Sequence, residues 1–203
     1  MPAFRTIIAA AFAATFLFAA SMAEAQQPPP VRIRATIQSV DGRMLTVKGR
    51  DGAMMKVKVA DTAPVNQVVK ASLSDIKEGS YLAITAMPQP DGSQQAVSIL
   101  IFPQGVHPPE GFNPWDYSPN STMTNATVAN EVTGVDGTTL NVKYKDGEKK
   151  IVVPPNAEIV TTQKASAAAL KAGQRIFVFA AKSQPDGTLD APAVAFGDYG
   201  VWR

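Results

Sequence analysis

The sequence contains no cysteine and a single histidine among its 203 residues. The absence of cysteine excludes disulfide bonds, thiolate metal sites, cysteine nucleophiles and lipid anchoring through cysteine. Any histidine-based chemistry would rest on His107 alone. A net charge of +2 is too small an excess to indicate nucleic-acid binding. What remains is an ordinary globular composition, 45% hydrophobic and 18% charged, sufficient for one or two small domains.

Residues 1–25 have the pattern of a secretory signal peptide. Arg5 supplies the positive start, residues 7–20 form an uncharged apolar run, and Ala23-Glu24-Ala25 fits the small-x-small cleavage pattern. The run is shorter than the about 20 apolar residues of a transmembrane helix. We therefore expect cleavage after Ala25 or Ala23. The product should be a soluble protein of the bacterial periplasm that has no membrane span.

The rest of the sequence carries one pattern twice. Four segments recur 95 residues further along: Val40-Asp41-Gly42 as Val135-Asp136-Gly137, Leu45 to Lys48 as Leu140 to Lys143, Arg50-Asp51-Gly52 as Lys145-Asp146-Gly147, and Gln89 to Gly92 as Gln184 to Gly187. Lys70-Ala71-Ser72 recurs after 94 residues, which indicates a slip of one residue that is later reversed. Self-similarity at a fixed spacing indicates internal duplication. We assign the first repeat to 26–102, a linker to 103–125 and the second repeat to 126–203.

Within each repeat the hydrophobic pattern predicts short strands. Apolar residues at 31, 33, 35 and 37 alternate with polar ones, which is typical of a strand with one buried face. The Asp-Gly pairs suit the tight turns between strands. In the second repeat we expect Val128 and Val132 to face inward, and Phe177 and Phe179 to occupy the core places of Leu82 and Ile84. Asn130 falls at the inward place of Ala35, which the pattern does not explain.

A short helical segment is predicted after the third strand of each repeat. Ser72 is a candidate N-cap, Asp75 follows three residues later, and Gly79 is a candidate stop. Residues 166–171 are the second segment. Three strands, a helical segment and two strands is the order of the OB-fold, a small five-stranded barrel. We therefore predict an all-β protein of two tandem five-stranded OB-like barrels, each with a short helical segment between strands 3 and 4. The alternatives are a pair of open sheets or one fused sandwich.

On these motifs the chain resembles exported bacterial proteins built from tandem OB-like domains of unknown function. The resemblance rests on the Val-Asp-Gly, Leu-Thr-Val-Lys and Pro-Asp-Gly segments named above and on Asn113-Pro114-Trp115-Asp116 in the linker. It implies a fold and a compartment and supplies no catalytic residue. Such proteins are sometimes labelled metal-transporter permeases, but a permease needs several spanning helices, which this sequence does not contain.

No catalytic constellation is visible in the sequence. Six of the 17 acidic residues belong to Asp-Gly turns, and the others show no spacing that pairs two carboxylates across a substrate. There is no Gly-x-Ser-x-Gly element and no phosphate-binding glycine loop. We therefore predict a protein that is not an enzyme and needs no cofactor.

Two groups of residues are candidates for ligand binding. In the linker, Trp115 and Tyr117 could wall a groove with Asp116 as a polar contact; the alternative is that Trp115 and Phe112 pack between the barrels and fix their relative angle. On the strands, outward basic residues could hold an anionic glycan, a lipid headgroup or an acidic peptide; the alternative is a solvated face. The basic candidates are Arg32, Arg34, Lys143 and Lys145.

These features predict a non-enzymatic periplasmic binding or interaction module, whose partner is an unknown envelope component or protein and not a nucleic acid. The first alternative is a metal-handling protein that uses His107, Glu110, Asp116 and Met123 of the linker, although no standard ligand spacing supports it. The second is a structural envelope protein. Neither the ligand nor the oligomeric state follows from the sequence.

Overall fold

The computed structural model describes residues 28–134 and 137–197, without the side chains of 131–134 and 137. The predicted signal peptide and the turn at Asp136 lie outside the described residues. As predicted, the described chain is all-β. Its strands are β1 (Val31–Asp41), β2 (Met44–Gly49), β3 (Met54–Val59), β4 (Val65–Lys70), β5 (Tyr81–Pro88), β6 (Gln94–Ile101), β7 (Gly111–Pro114), β8 (Thr122–Gly134), β9 (Gly137–Tyr144), β10 (Gly147–Val153), β11 (Glu158–Ala165), β12 (Arg175–Ser183), β13 (Leu189–Ala191) and β14 (Val194–Phe196). No helix in the described ranges is long and apolar enough to cross a membrane.

The first five-stranded ring, ring 1, is closed by backbone hydrogen bonds among β1, β2, β3, β13 and β12. All its pairings are antiparallel except that of β3 with β13, and the pairing of β1 with β12 closes it. The predicted alternation of β1 is confirmed for Ile33, Ala35 and Ile37, which are buried in the core of this ring, whereas Val31 at the start of the strand is 40% exposed. They pack with Ile176 and Val178 of β12.

The second ring, ring 2, has the same order of strands: β8, β9, β10, β6 and β5. Here β10 and β6 form the parallel pair, and β5 closes the ring against β8. Leu82 and Ile84 from β5 pack with Leu140 and Val142 from β9 and with Ile151 from β10, all of them fully buried.

Each ring combines strands from both sequence repeats, so the prediction of one barrel per repeat is wrong. Ring 1 takes its first three strands from residues 31–59 and its last two from residues 175–191. Ring 2 is a continuous block, residues 81–153, that lies between these two parts of the chain. The fourth and fifth strands of each repeat therefore complete the ring of the other repeat.

Strands β4 and β11, which the sequence pattern did not reveal, connect the two rings. They pair antiparallel with one another. Each also has a parallel neighbour: β4 runs beside β14, which pairs with β12 of ring 1, and β11 runs beside β6 of ring 2. Val68 lies opposite Thr162, which is 94 residues further along, the spacing of the Lys-Ala-Ser segments. Matching positions of the two repeats therefore face each other at the centre of this ladder.

The predicted helical segments are single 3₁₀ turns, Leu73–Asp75 and Ala167–Ala169. Ser72, the candidate N-cap, does precede the first turn, and its backbone N–H donates to Asp75 Oδ2 at 2.8 Å. The turn ends there because Ile76 adopts an extended conformation and is 1% exposed in the core of ring 2. The segment is therefore stabilised by the burial of Ile76 in ring 2, which requires an extended backbone where a helix would have continued.

The prediction that Phe177 and Phe179 lie in the core is wrong. The offset of 94 residues continues into β12, so that Ile176 and Val178 take the inward places matching Leu82 and Ile84. Both phenylalanines point to the outer face, where Phe177 is half-buried and Phe179 is 61% exposed. An irregularity in the pairing of β1 with β12, next to Phe179, accommodates the extra residue of this copy.

Asn130 does not occupy the place of Ala35. In the pairing of β8 with β9, Val128 lies opposite Val142, as Ile37 lies opposite Val47 in ring 1. Val128 is buried, as predicted, and a bulge after it turns Asn130 outward, where Asn141 Nδ2 donates to its side-chain oxygen at 2.6 Å. The predicted inward position of Val132 concerns a side chain outside the described set.

Candidate functional site: an arginine–aromatic cluster on ring 1

The outer face of ring 1 carries two arginines beside two phenylalanines. Side chains alternate between the faces of a strand, so Arg32 and Arg34 point away from the core that holds Ile33. Arg34 pairs with Phe177 across β1 and β12, and its guanidinium carbon lies 5.1 Å from that ring centroid. The guanidinium of Arg32 lies 5.6 Å from Phe179, and the two phenylalanine rings meet edge to face at 6.3 Å.

The loop 115–121, between β7 and β8, brings two further residues to this face. The Trp115 backbone N–H donates to Ser121 O at 2.8 Å, and the Ser121 N–H donates to Ser118 O at 3.0 Å. Asn120 has a φ of 64°, a left-handed conformation that asparagine tolerates better than most residues. These bonds close the loop on itself and hold Trp115 and Asp116 in fixed positions.

Asp116 is bound by both arginines. Arg34 donates to its two carboxylate oxygens from Nη1 at 2.9 Å and from Nη2 at 2.8 Å, a bidentate pair, and Arg32 Nη1 lies 3.2 Å from Oδ2. The hydrogen bonds from Arg34, which outweigh the opposing effect of partial burial, lower the pKa of Asp116 from 3.8 to about 2. Two cations facing one anion leave a formal charge of +1 on these three side chains.

Trp115 lies against the same arginines, with its ring centroid 4.3 Å from the guanidinium carbon of Arg32 and 5.6 Å from that of Arg34. Contacts of this kind contribute about 0.5–2 kcal/mol each, depending on desolvation. Two donors of the cluster, Nε of Arg34 and Nε1 of Trp115, are buried without a hydrogen-bond partner among the described residues and are out of reach of a ligand on this face. The cluster therefore combines a cationic centre with aromatic faces, a set suited to anionic groups carried on an apolar body.

Ring 2 lacks this chemistry at the matching place. Where ring 1 pairs Arg34 with Phe177, ring 2 pairs Asn125 with Ala83. The linker also covers this second face, because Asn125 Nδ2 donates to Pro109 O at 3.1 Å. The arginine–aromatic cluster is thus a property of ring 1 and not a consequence of the shared architecture.

The structure joins the two groups of predicted ligand residues only in part. Arg32, Arg34, Trp115 and Asp116 meet, although the sequence placed them in separate candidates. Tyr117 is half-buried and takes no part in the ion pairs or ring contacts of the cluster among the described residues. The predicted basic candidates on the other repeat lie on ring 2: Lys143 is exposed opposite Glu148, and Lys145 is exposed in the following turn.

The alternative metal ligands do not assemble. Within residues 28–134 and 137–197, no group of three or more histidine, aspartate or glutamate side chains could hold a metal ion. His107 stacks on Tyr81 with ring centroids 4.6 Å apart, and Asp116 is bound by the arginines. Glu110 contributes to no such group, and Met123 is half-buried in β8, opposite Asn113 of β7.

Tyr81 anchors the first half of the linker to ring 2. Its hydroxyl donates to Pro108 O at 2.5 Å, and burial together with the charge of Glu110 raises its pKa above 10.0. Further along, Phe112 packs under Lys149 of ring 2, whose ammonium nitrogen lies 4.6 Å from the ring centroid. The linker therefore contacts ring 2 through His107 and Phe112 and ring 1 through Trp115.

A concavity elsewhere on the surface offers no comparable chemistry. It encloses about 320 Å³ beside a Pro-Asp-Gly turn and is lined by Gln89, Pro90, Asp91, Ser93, Gln95 and Val152. The Asp91 carboxylate already accepts hydrogen bonds from the backbone and hydroxyl of Ser93. This aspartate is therefore occupied in holding the turn.

Sequence reasoning missed the two phenylalanines as site residues because it placed them in the core. The continued 94-residue offset, visible from Lys70 and Lys164, was the signal that could have placed them outside. Comparisons of the chain with family models, with curated proteins and with solved structures return no match. The candidate site therefore rests on the geometry of this chain alone.

Proposed function

We propose that this protein is a non-enzymatic binding module of the bacterial envelope, exported to the periplasm, and that the arginine–aromatic cluster is its ligand surface. The observation that carries the proposal is the combination of a partly exposed arginine and an exposed aromatic ring. The Arg32 side chain is 38% exposed and Phe179 is 61% exposed, even though Trp115 and Asp116 already cover part of the face. Exposed aromatic and arginine side chains together are typical of binding surfaces.

The ligand in this proposal carries anionic oxygen groups. Asp116 uses both Nη donors of Arg34, whereas Arg32 makes one longer contact with this carboxylate, from Nη1 to Oδ2 at 3.2 Å, out of the five N–H donors that a guanidinium carries. A guanidinium binds carboxylates, sulfates and phosphates through such donors. The residual formal charge of +1 favours approach of an anion over that of a cation.

We also propose that each ring is an OB-like barrel and that the two repeats derive from one duplicated unit that exchanged its last two strands. The five-stranded order shared by both rings supports this reading. OB-like barrels commonly bind ligands on a sheet face and its bordering loops, and the cluster consists of a sheet face bordered by the loop 115–121.

Fluorescence of Trp115 provides the test. The chain has two tryptophans, so Trp202→Phe leaves Trp115 as the single reporter. We would titrate this protein, at 0.15 M salt to screen exposed charges, with dextran sulfate, poly-glutamate and phosphatidylglycerol vesicles, and with neutral dextran as control. We expect a saturable change in emission with at least one anionic probe, weakened at least ten-fold by Arg32→Gln.

A matched control separates the site from general charge attraction. Lys143→Gln removes one exposed cation from ring 2 and should leave the titration unchanged. Equal weakening by Lys143→Gln and Arg32→Gln, or no response to any anionic probe, would refute the proposed ligand surface. In that case, stable co-purification with one envelope protein would favour the structural alternative.

A further inference from the structure

We propose that the outer face of ring 1 is a docking surface for a peptide segment with an aromatic residue followed directly by an acidic one, and that the linker occupies this surface in cis through Trp115 and Asp116. This inference rests on the proposed function, because it names the ligand of the same cluster. The chain itself presents such a segment to the face, and each part of the segment has a defined partner there.

The two side chains of the segment are recognised separately. The carboxylate takes both Nη donors of Arg34, and the indole lies 4.3 Å from the guanidinium of Arg32. The Arg34 side chain is only 8% exposed, so its charge depends on an acidic partner at this position. An acidic residue without the aromatic neighbour would leave Arg32 without its stacking partner.

Recognition has to proceed through side chains, because no strand edge is free at this face. β1 is hydrogen-bonded to β2 on one side and to β12 on the other. A peptide cannot therefore bind by adding a strand to ring 1. The aromatic–acidic pair determines which peptides bind, and Phe179, exposed at the rim of the cluster, is available to the residues that flank it.

The linker segment that contains Trp115 and Asp116 competes with any partner peptide for the same face, because it is tethered beside it. A tethered segment has an effective concentration of about 1 mM. If the free peptide binds with a dissociation constant of about 0.1 mM, the tethered copy weakens its apparent binding about ten-fold. A partner that carries the same pair with additional contacts to Phe179 would displace the linker.

The test uses the full exported chain, in which the two side chains of its own segment are truncated to alanine. The double variant Trp115→Ala/Asp116→Ala vacates the face, and the probe is a fluorescently labelled synthetic peptide with the sequence of residues 111–121. We expect fluorescence anisotropy to show one-to-one binding to the vacated variant and binding at least ten-fold weaker to the wild type. A peptide with alanine and asparagine in place of its tryptophan and aspartate should not bind.

Two further variants make the result specific. Adding Arg34→Gln to the vacated variant should weaken peptide binding at least ten-fold, whereas adding Lys143→Gln should not change it. No binding by a vacated variant that still unfolds in one cooperative transition would overturn the inference, as would binding unaffected by Arg34→Gln. If an anionic polymer binds the wild type but this peptide does not bind the vacated variant, the peptide inference is refuted and the proposed anion-binding function stands. If the peptide binds but no anionic probe changes the emission of Trp115, only the proposed anion-binding function is refuted.

Discussion

Truncation of one leucine in each ring tests the exchange of strands between the repeats. Leu45 in ring 1 and Leu140 in ring 2 occupy corresponding sequence positions, and both are fully buried in their cores. Replacing a buried leucine by alanine costs about 2–5 kcal/mol, through lost transfer energy and the cavity that remains. The two variants therefore apply matched perturbations to the two rings.

The readout is native-state hydrogen exchange followed strand by strand. If the cost of Leu45→Ala is about 3 kcal/mol, exchange through opening of ring 1 accelerates by about two orders of magnitude. The strands that complete ring 1 are β12 and β13, more than 100 residues away in sequence. We expect Leu45→Ala to expose β1–β3 together with β12 and β13, and to leave β5 and β6 protected.

Leu140→Ala should have a wider effect. Ring 2 lies between the two parts of ring 1, and β4 and β11 pair with one another on either side of it. Unfolding ring 2 therefore leaves residues 81–153 as a flexible loop of about 73 residues that these paired strands must close. The closure entropy of such a loop, (3/2)RT ln n, is about 4 kcal/mol. We therefore expect faster exchange throughout ring 2, including β5 and β6, and a smaller loss of protection in ring 1.

One barrel per repeat would produce the opposite pattern. In that arrangement Leu45 would share a core with β5 and β6, and its truncation would expose those strands while β12 stayed protected. Observation of that pattern would refute the strand exchange. Equal acceleration in all strands of both variants would show that the rings do not open separately, and would refute the reasoning from the nested topology.

Three further predictions concern individual contacts. The folded-state pKa of Asp116 lies below its unfolded value, so the stabilisation that this residue provides is complete above about pH 4 and is lost as the pH falls toward 2. Because its side chain is 44% exposed, we expect a contribution of only about 1 kcal/mol to the free energy of unfolding in urea. Asp116→Asn should abolish this dependence on pH. Phe179→Ala should cost less than about 1 kcal/mol in the same assay and Ile176→Ala about 2–5, and the reverse order would return Phe179 to the core. Tyr81→Phe removes the donor to Pro108 and should lower stability by about 1 kcal/mol, with faster amide exchange in residues 102–110.

Local features of the fold were predictable because they depend on neighbouring residues. From Ile33 onward the alternation assigned the buried face of β1 correctly, and the Asp-Gly pairs within the described residues marked real turns. At two of these turns, aspartates 91 and 186 accept hydrogen bonds from the backbone and hydroxyl of the residue two positions on. Such bonds need no information from the rest of the chain.

The exchange of strands was not predictable, because the local pattern is the same in both repeats. β5 and β12 present similar inward residues, such as Leu82 and Ile176, so that either strand could complete either core. The strands that connect the two rings, β4 and β11, carry no turn signal or clear alternation, so their pairing with one another was not visible either. The meeting of Arg34 with Asp116, 82 residues apart, likewise depends on packing over a long range in sequence.

The exchange of strands is also what creates the candidate site. Arg34 faces Phe177 because β1 pairs with β12 of the other repeat. If β1 paired with β5 of its own repeat, the residue at the place of Phe177 would be Ala83, which has no aromatic face to offer a guanidinium. The pairing of strands from different repeats and the chemistry of the site are thus coupled. Leu45→Ala should weaken binding of the peptide to the vacated variant only in proportion to the fraction of molecules in which β12 has detached from β1.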